Sequence, residues 1–270
     1  MASRRPTVAR AVHANRGLEM RYRRAIEAMI AKMHDSYLYW LTATYRKAPP
    51  RMAKVVEQAQ DAWLPSLEAM GALKDLGARW ANFFKESAQS VGKKFAIRLF
   101  DTSNRAFQSS LKDAGWAVEF KMTPAMRDAM QAKIEENVGL IKSIPAKYHD
   151  QVQGIVMRNY AKGSDLQAMR EELSALYPEA KNRATLISRD QSNKINAVVT
   201  QARQMELGIK EGIWVHSHGG KVPRPDHVAA NGRKYDIAKG CLISGKYIRP
   251  GELIGCRCVC KSVFPFKVAV

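Results

Sequence analysis

The sequence is short of acidic residues, and its cysteines are few and confined to one place. Asp plus Glu number 25 against 44 Lys plus Arg, a formal charge of +19 over 270 residues. Such an imbalance draws polyanions through long-range attraction and counterion release. The four cysteines, Cys241, Cys256, Cys258 and Cys260, all lie in the last thirty residues. That placement excludes a disulfide framework stapling the whole chain. The first residues, MASRRPTVARAVHANRGLEMRYRR, are basic and lack the apolar stretch of a signal peptide. No uncharged apolar run approaches the roughly 18 residues that span a bilayer. The expectation is therefore synthesis in a cytoplasm, thiols that begin reduced, and no membrane partner. Catalytic signatures are missing too. Ser217 and Ser244 have no nucleophile-elbow setting, and no glycine loop is built to cradle phosphate. Gly219-Gly220 reads as an isolated hairpin tip between two strands.

What is present is enough to fold. An apolar content of 46% excludes a wholly disordered chain, and 270 residues bury a sizeable core in one large or two modest domains. Residues 1–16 read as a basic flexible arm; seven Arg and one Glu fall between 1 and 25. From Gly17 to Arg46, Ile26, Met29, Ile30, Met33, Tyr37, Trp40 and Leu41 recur at helical spacing, and Pro49-Pro50 stops the run. Helical pattern resumes over 52–111, with a kink at Pro65 and a second break around Gly77 between Lys74 and Trp80. AVEFKM reads as a short strand. Thr123-Pro124 has the form of a helix start. That helix is expected to run to Ser143, with another opened by Pro145 and ended at Gly163-Ser164. DLQAMREELSALY and 182–206 complete the helices. From Gly208 onward GIWVHS, GRKYDI, KYIRP and CRCVCKSVF read as strands between turns. The fold class is α+β: an arm over 1–16, a predominantly helical body over 17–207 and a small β-rich module over 208–270.

Soft and borderline ligands gather in that module: His216, His218, His227, Cys256, Cys258 and Cys260. On a strand the three clustered cysteines share a face. Neighbours there are about 6.6–7 Å apart at Cα, so two converge on one metal only where the strand bends. His227, Cys256 and Cys258 are the candidate zinc ligands. Two other readings stay open: cysteines packed as small hydrophobes, and a disulfide formed later in an oxidising setting. His216, His218, Asp226, His227 and Asn231 loosely resemble a His-Asn-His nuclease, but no second carboxylate completes a metal site. The expectation is a protein that is not an enzyme. For nucleic-acid contact the candidates are Arg4, Arg5, Arg10, Arg16, Arg224 and Arg233, with no base-reading motif among them. Arg189 and Arg257 are equally well explained by internal ion pairs.

Several segments carry a family resemblance in a fixed order. They are NVGLIKSIP, YAKGSDLQAMREEL, RATLISRDQSNKINAVV, Trp214, RPDHVAANG and RPGELIGCRC. From Asn137 to Cys258 the chain resembles the phage Mu F-like head-morphogenesis family. Ser188-Arg189-Asp190-Gln191 stands where that family usually has Ala-Arg-Thr-Glu. His216-Ser217-His218 stands where it commonly has an Asp. The resemblance implies a minor capsid protein built into the procapsid at or near the portal vertex and assembled in the host cytoplasm. Its expected partners are the portal protein, major capsid or scaffold proteins, and phage DNA bound without sequence preference. The competing class is a cationic DNA-binding or metal-dependent DNA-processing protein acting outside a capsid.

Overall fold

The computed structural model describes residues 7–47, 65–163, 166–219 and 222–264. In chain order the elements are β1 (Thr7–Val8), α1 (Arg16–Lys47), α2 (Pro65–Asp113), α3 (Pro124–Lys162), α4 (Leu166–Glu206), β2 (Glu211–Val215), α5 (Pro225–Ala229), β3 (Lys234–Asp236), β4 (Cys241–Ile243), β5 (Lys246–Ile248) and β6 (Val259–Phe264). The fold is α+β, dominated by four long helices, with its sheets mostly near the C-terminus. Among the described residues, no helix is long and apolar enough to cross a membrane. Arg4, Arg5, Pro49, Pro50, Ser164 and Gly220 lie outside the described residues.

The chain forms two compact units whose boundaries fall within the long helices. One gathers the segments within Met1–Tyr22, Lys93–Glu136 and Leu186–Val270; the other gathers Arg23–Gly92 and Asn137–Thr185. The expected boundary at 207/208 thus falls inside the first unit. So do residues 7–16 of the expected arm. Thr7 and Val8 pair with Phe264 and Val263. Ala9 and Val12 are buried, and the carbonyls of Arg10 and Val12 accept hydrogen bonds from Ser110 Oγ (2.6 Å) and Asn196 Nδ2 (2.8 Å). Apolar burial and satisfied main-chain groups hold this stretch down despite its charge.

In the unit built from Arg23–Gly92 and Asn137–Thr185, the core is helix on helix. Ile26, Ile30, Met33, Tyr37, Leu41 and Phe84 are buried. The break expected around Gly77 is absent, and α2 runs through it. A Cβ at Gly77 would lie 2.6 Å from the His149 ring, so glycine permits a close approach of α3 to α2. The stop expected near Ser143 and the restart at Pro145 are also absent, because α3 is continuous across Pro145. A helical proline costs on the order of 3 kcal/mol. Burial of Ile144, Tyr148 and Val152 on either side outweighs it. Pro178 is likewise internal to α4, where two helices were expected.

In the other unit, a four-stranded antiparallel sheet has the order β1-β6-β2-β3, and β4 pairs with β5. AVEFKM is not a strand. Trp116, Val118 and Phe120 alternate toward an apolar cluster with Phe107, Ile209 and Phe264, which is the pattern the sequence shows. The carbonyls there are met by side chains instead of a neighbouring strand. Gln108 Nε2 donates to Val118 O (2.6 Å) and Arg203 Nη1 to Lys121 O (2.9 Å). Thr123 Oγ1 accepts the Met126 N–H at 3.2 Å and caps α3 as expected.

Candidate metal centre

The module's second apolar cluster comprises Trp214, Ala230, Cys241, Ile243, Ile248, Cys256 and Cys258. Several stretches of chain build it, two of which carry the ligands. Trp214 on β2 is fully buried, and its ring stands perpendicular to that of His227 at 5.1 Å. His227 sits on α5, a five-residue helix with Pro225 in its first turn. Asp226 Oδ1 accepts the His227 N–H at 2.8 Å, and its Oδ2 accepts Ser244 Oγ at 3.2 Å. Cys256 and Cys258 precede β6. They follow a turn closed by the Cys256 N–H on Leu253 O at 2.9 Å, in which Gly255 takes φ +71°. The chain turns immediately before the first of the two thiols, which lie outside the regular strand. Cys260, inside β6, stands apart: its sulfur accepts Gln204 Nε2 at 3.4 Å.

The ligand atoms of His227, Cys256 and Cys258 all lie within 4.8 Å of one another, and all three residues are buried. His227 Nδ1 is 3.6 Å from Cys256 Sγ and 3.7 Å from Cys258 Sγ. Tetrahedral zinc, with bonds of about 2.3 Å to sulfur and 2.0–2.1 Å to nitrogen, holds such atoms roughly 3.5–3.6 Å apart. The donor set and its spacing fit a zinc-sized soft cation. The pair is also electrostatically prepared. A hydrogen bond from Cys258, then main-chain N–H groups of Cys258 and Gly251, favour the Cys256 thiolate. The same pairing and burial push the Cys258 thiol upward. A cation replacing the proton between the sulfurs would be met by thiolate charge.

One supporting residue, Asp190, lies far away in sequence. On α4, its Oδ1 accepts the Gly255 N–H at 2.7 Å, immediately before Cys256, while Lys194 Nζ holds Oδ2 at 2.9 Å. Only its departure from the family's usual Thr singled it out in the sequence. Asn231 Oδ1 accepts the His216 N–H at 2.9 Å, ending β2. Asp226 and Asn231, weighed above as nuclease groups, therefore hold main chain in place.

Beside the cluster is a cavity of about 330 Å³, lined by His216, Arg224 and Arg257 as well as the three ligands. Burial, then His218 and His227, lower the His216 pKa. Of the arginines considered for nucleic acid, Arg10 pairs with Asp113 at 2.7 Å, Arg16 pairs with Glu19, and Arg224 Nη2 donates to Ile254 O at 2.8 Å. Arg233 is exposed and follows α5. Arg189 faces Glu19 at 4.0 Å, and Arg257 donates to Gly219 O. The connection holding Gly219 leads from β2 into α5, so it is not the tip of a two-strand hairpin.

Comparison with known proteins bears on the same region. A Haemophilus influenzae protein described as "Uncharacterized protein" is 35% identical over 175 residues, covering 64% of this chain. The chain spans 38% of that relative's length. No solved structure matches. Residues 150–261, which contain Asp190, Trp214, His227, Cys256 and Cys258, match the family described as Phage Mu protein F like protein, the family that the sequence motifs resemble.

Proposed function

We propose that this chain is a minor capsid protein of phage head morphogenesis, with a structural and not a catalytic role. It is assembled in the host cytoplasm and resides in the virion at or near the portal vertex. The portal protein and the major capsid or scaffold proteins hold it, and its basic surface lies against packaged DNA without reading sequence. The observation that carries this reading is the family match over residues 150–261. That segment encloses all three members of the His227, Cys256 and Cys258 cluster. Zinc held by those residues staples a module whose own core is small. The charge of +19 supports the contact with DNA.

Co-expression with the cognate portal protein should give a complex on a sizing column, and mass spectrometry should find the chain in purified particles. Absence from both overturns the reading. DNA affinity should fall with salt, at a log–log slope of about −0.9 per neutralised phosphate. A strong preference for one DNA sequence would contradict the non-specific contact.

One observation favours a second reading, a metal-dependent DNA-processing protein acting outside the capsid: the cluster opens on a cavity that carries Arg224 and Arg257. Three protein ligands beside an open position are the usual form of a catalytic zinc. Metal-dependent cleavage by protein that is absent from particles would favour it.

A further inference from the structure

All four cysteines are free, and they divide into two kinds. Cys241 and Cys260 act as packing groups. Cys241 is buried on β4 in an apolar cluster, and Cys260 turns its sulfur to Gln204 from within β6. Cys256 and Cys258 converge instead. Their sulfurs lie within 4.8 Å of each other, and 3.6 and 3.7 Å from a single nitrogen, His227 Nδ1. Of the four cysteines, these two alone line the cavity of about 330 Å³ beside the cluster. That volume is several times the roughly 30 Å³ that a water occupies, so a small solute fits.

Two sulfurs so placed can join. A disulfide needs Cα atoms about 4.4–6.8 Å apart. Residues two apart on a fully extended strand are separated by about 6.6–7 Å, at the upper edge of that window. Cys256 and Cys258 precede β6 and are free of its ladder, so a slight bend at Arg257 closes the gap. A bond near the edge of the allowed geometry is strained, and strained disulfides are readily reduced. The same sulfurs are two of the three metal ligands, and only a thiolate serves as one. Once they are joined, His227 alone remains to hold a cation.

We infer that Cys256 and Cys258 form a reversible dithiol–disulfide site whose oxidant is a hydroperoxide, and that its oxidation expels the metal. One thiolate attacks a peroxide oxygen. The O–O bond breaks, and the departing oxygen takes up the proton which that thiol had given up. The sulfur is left as a sulfenic acid. The second sulfur then attacks the first: the S–S bond forms, the S–O bond breaks, and water leaves with the second thiol's proton. Two electrons pass from the sulfurs to the peroxide. The zinc and disulfide alternatives left open by the sequence become two states of one site. Formation of the bond in metal-free chain stands alone, whereas expulsion of zinc rests on the zinc cluster proposed above.

The test uses the full chain, both metal-free and zinc-loaded, with hydrogen peroxide as the oxidant. Remaining thiols are alkylated in denaturant, and tryptic peptides are mapped by mass spectrometry without reduction. Trypsin cuts after Arg257, so a bond between Cys256 and Cys258 leaves two peptides joined, and free thiols leave them apart. In metal-free chain the expected result is one such bond per chain, with the mass of two hydrogens lost. Cys241 and Cys260 should be alkylated, and dithiothreitol should restore both thiols. In zinc-loaded chain one zinc should be released per bond formed, read with a chromogenic chelator. Cys256 and Cys258 still alkylated after peroxide overturn the inference. So do sulfinic acids without a bond, and so does a bond that takes Cys241, Cys260 or a second chain. Zinc retained by chains that carry the disulfide overturns the expulsion. A chain that takes up no zinc contradicts the zinc cluster, and the metal-free arm still decides the disulfide.

Discussion

The two units treat buried polar groups in opposite ways. In the helical unit they are spent on the unit's own packing. His34 Nδ1 and Tyr148 Oη meet at 2.5 Å, and Tyr37 Oη and His149 Nδ1 at 2.9 Å. The His34 ring stacks on Tyr177 at 4.8 Å. Among the described residues, the buried polar atoms there without a hydrogen bond are the Nε groups of Arg23, which faces Glu27 at 3.6 Å, and Arg183. In the sheet-bearing unit more buried polar atoms lack a hydrogen bond, among them Ser103 Oγ, Trp116 Nε1, Asn196 Oδ1, Thr200 Oγ1 and His227 Nε2. His227 turns Nδ1 to the two thiols and leaves Nε2 without a hydrogen bond. Closed networks specify a packed core, whereas groups left unmet are costly to keep buried.

Removing metal should separate the units most sharply. In zinc-loaded protein, chelation or Cys256→Ser should cost the sheet-bearing unit more than about 4 kcal/mol, the scale of losing a structural metal. Amide exchange should accelerate in β2 and β6 and stay unchanged in residues 23–47. Substoichiometric zinc in protein purified without an affinity metal column, with melting indifferent to chelator, would remove the metal from the account.

Phe84→Ala should do the reverse. Phe84 is fully buried in the helical unit, and truncating a core Phe costs about 3–5 kcal/mol. Denaturant unfolding should show the loss, while the zinc content of the cluster stays the same. A variant that also lost its zinc would show that the units stand or fall together.

Acid should act next, and in the helical unit it acts through His34. Burial lowers the His34 pKa below its ordinary 6.5, only partly opposed by Asp35, and Tyr148 and Tyr177 pack on the ring. The folded state thus binds fewer protons than the unfolded one below that pH. Stability is full above about pH 6.5 and falls as pH drops through the folded pKa. Melting temperature measured from pH 7.5 to 5 should decline, and His34→Gln should flatten that decline. Equal slopes in both proteins would contradict it.

The smallest effect belongs to Arg10→Ala. Arg10 and Asp113 are both more than half exposed, and such pairs contribute about 0–1 kcal/mol. Melting should barely move, while the salt slope of DNA binding should shallow by up to about one phosphate contact.

Much of this difference was legible in sequence, through side-chain periodicity. The stripe from Ile26 to Leu41 gave α1 to within a residue or two, and Thr123-Pro124 gave the start of α3. The rich ligand content of the last sixty residues singled out His227, Cys256 and Cys258, which the fold does bring together. The failures were local signals overridden by distant partners. Gly77, Pro145 and Pro178 look like interruptions, but burial on either side carries the helices through them. Residues 116–120 alternate as a strand should, yet Gln108 and Arg203 supply the hydrogen bonds that a strand would have supplied. β1 and β4 were missed because two or three residues carry no period. The Asp190 support for Gly255 joins residues 65 positions apart, and sequence periodicity holds no trace of that.

The pairing of β1 with β6 has a consequence for the order of events during synthesis. Thr7 and Val8 leave the ribosome first among the described residues, and their partners Val263 and Phe264 leave last. Nearly the whole described chain must be made before that ladder can close. Until then β2 has only β3 beside it, and the edge that β6 will cover is open. Contacts of such sequence separation are slow to form and leave strand edges available to the wrong neighbour. A nascent chain stalled before β6 would therefore hold a helical unit able to fold early and, in the other unit, a sheet in which β2 has only β3 to pair with. Slowing translation over the last codons should prolong the interval in which the chain is prone to aggregate, and a ready supply of chaperone should shorten it.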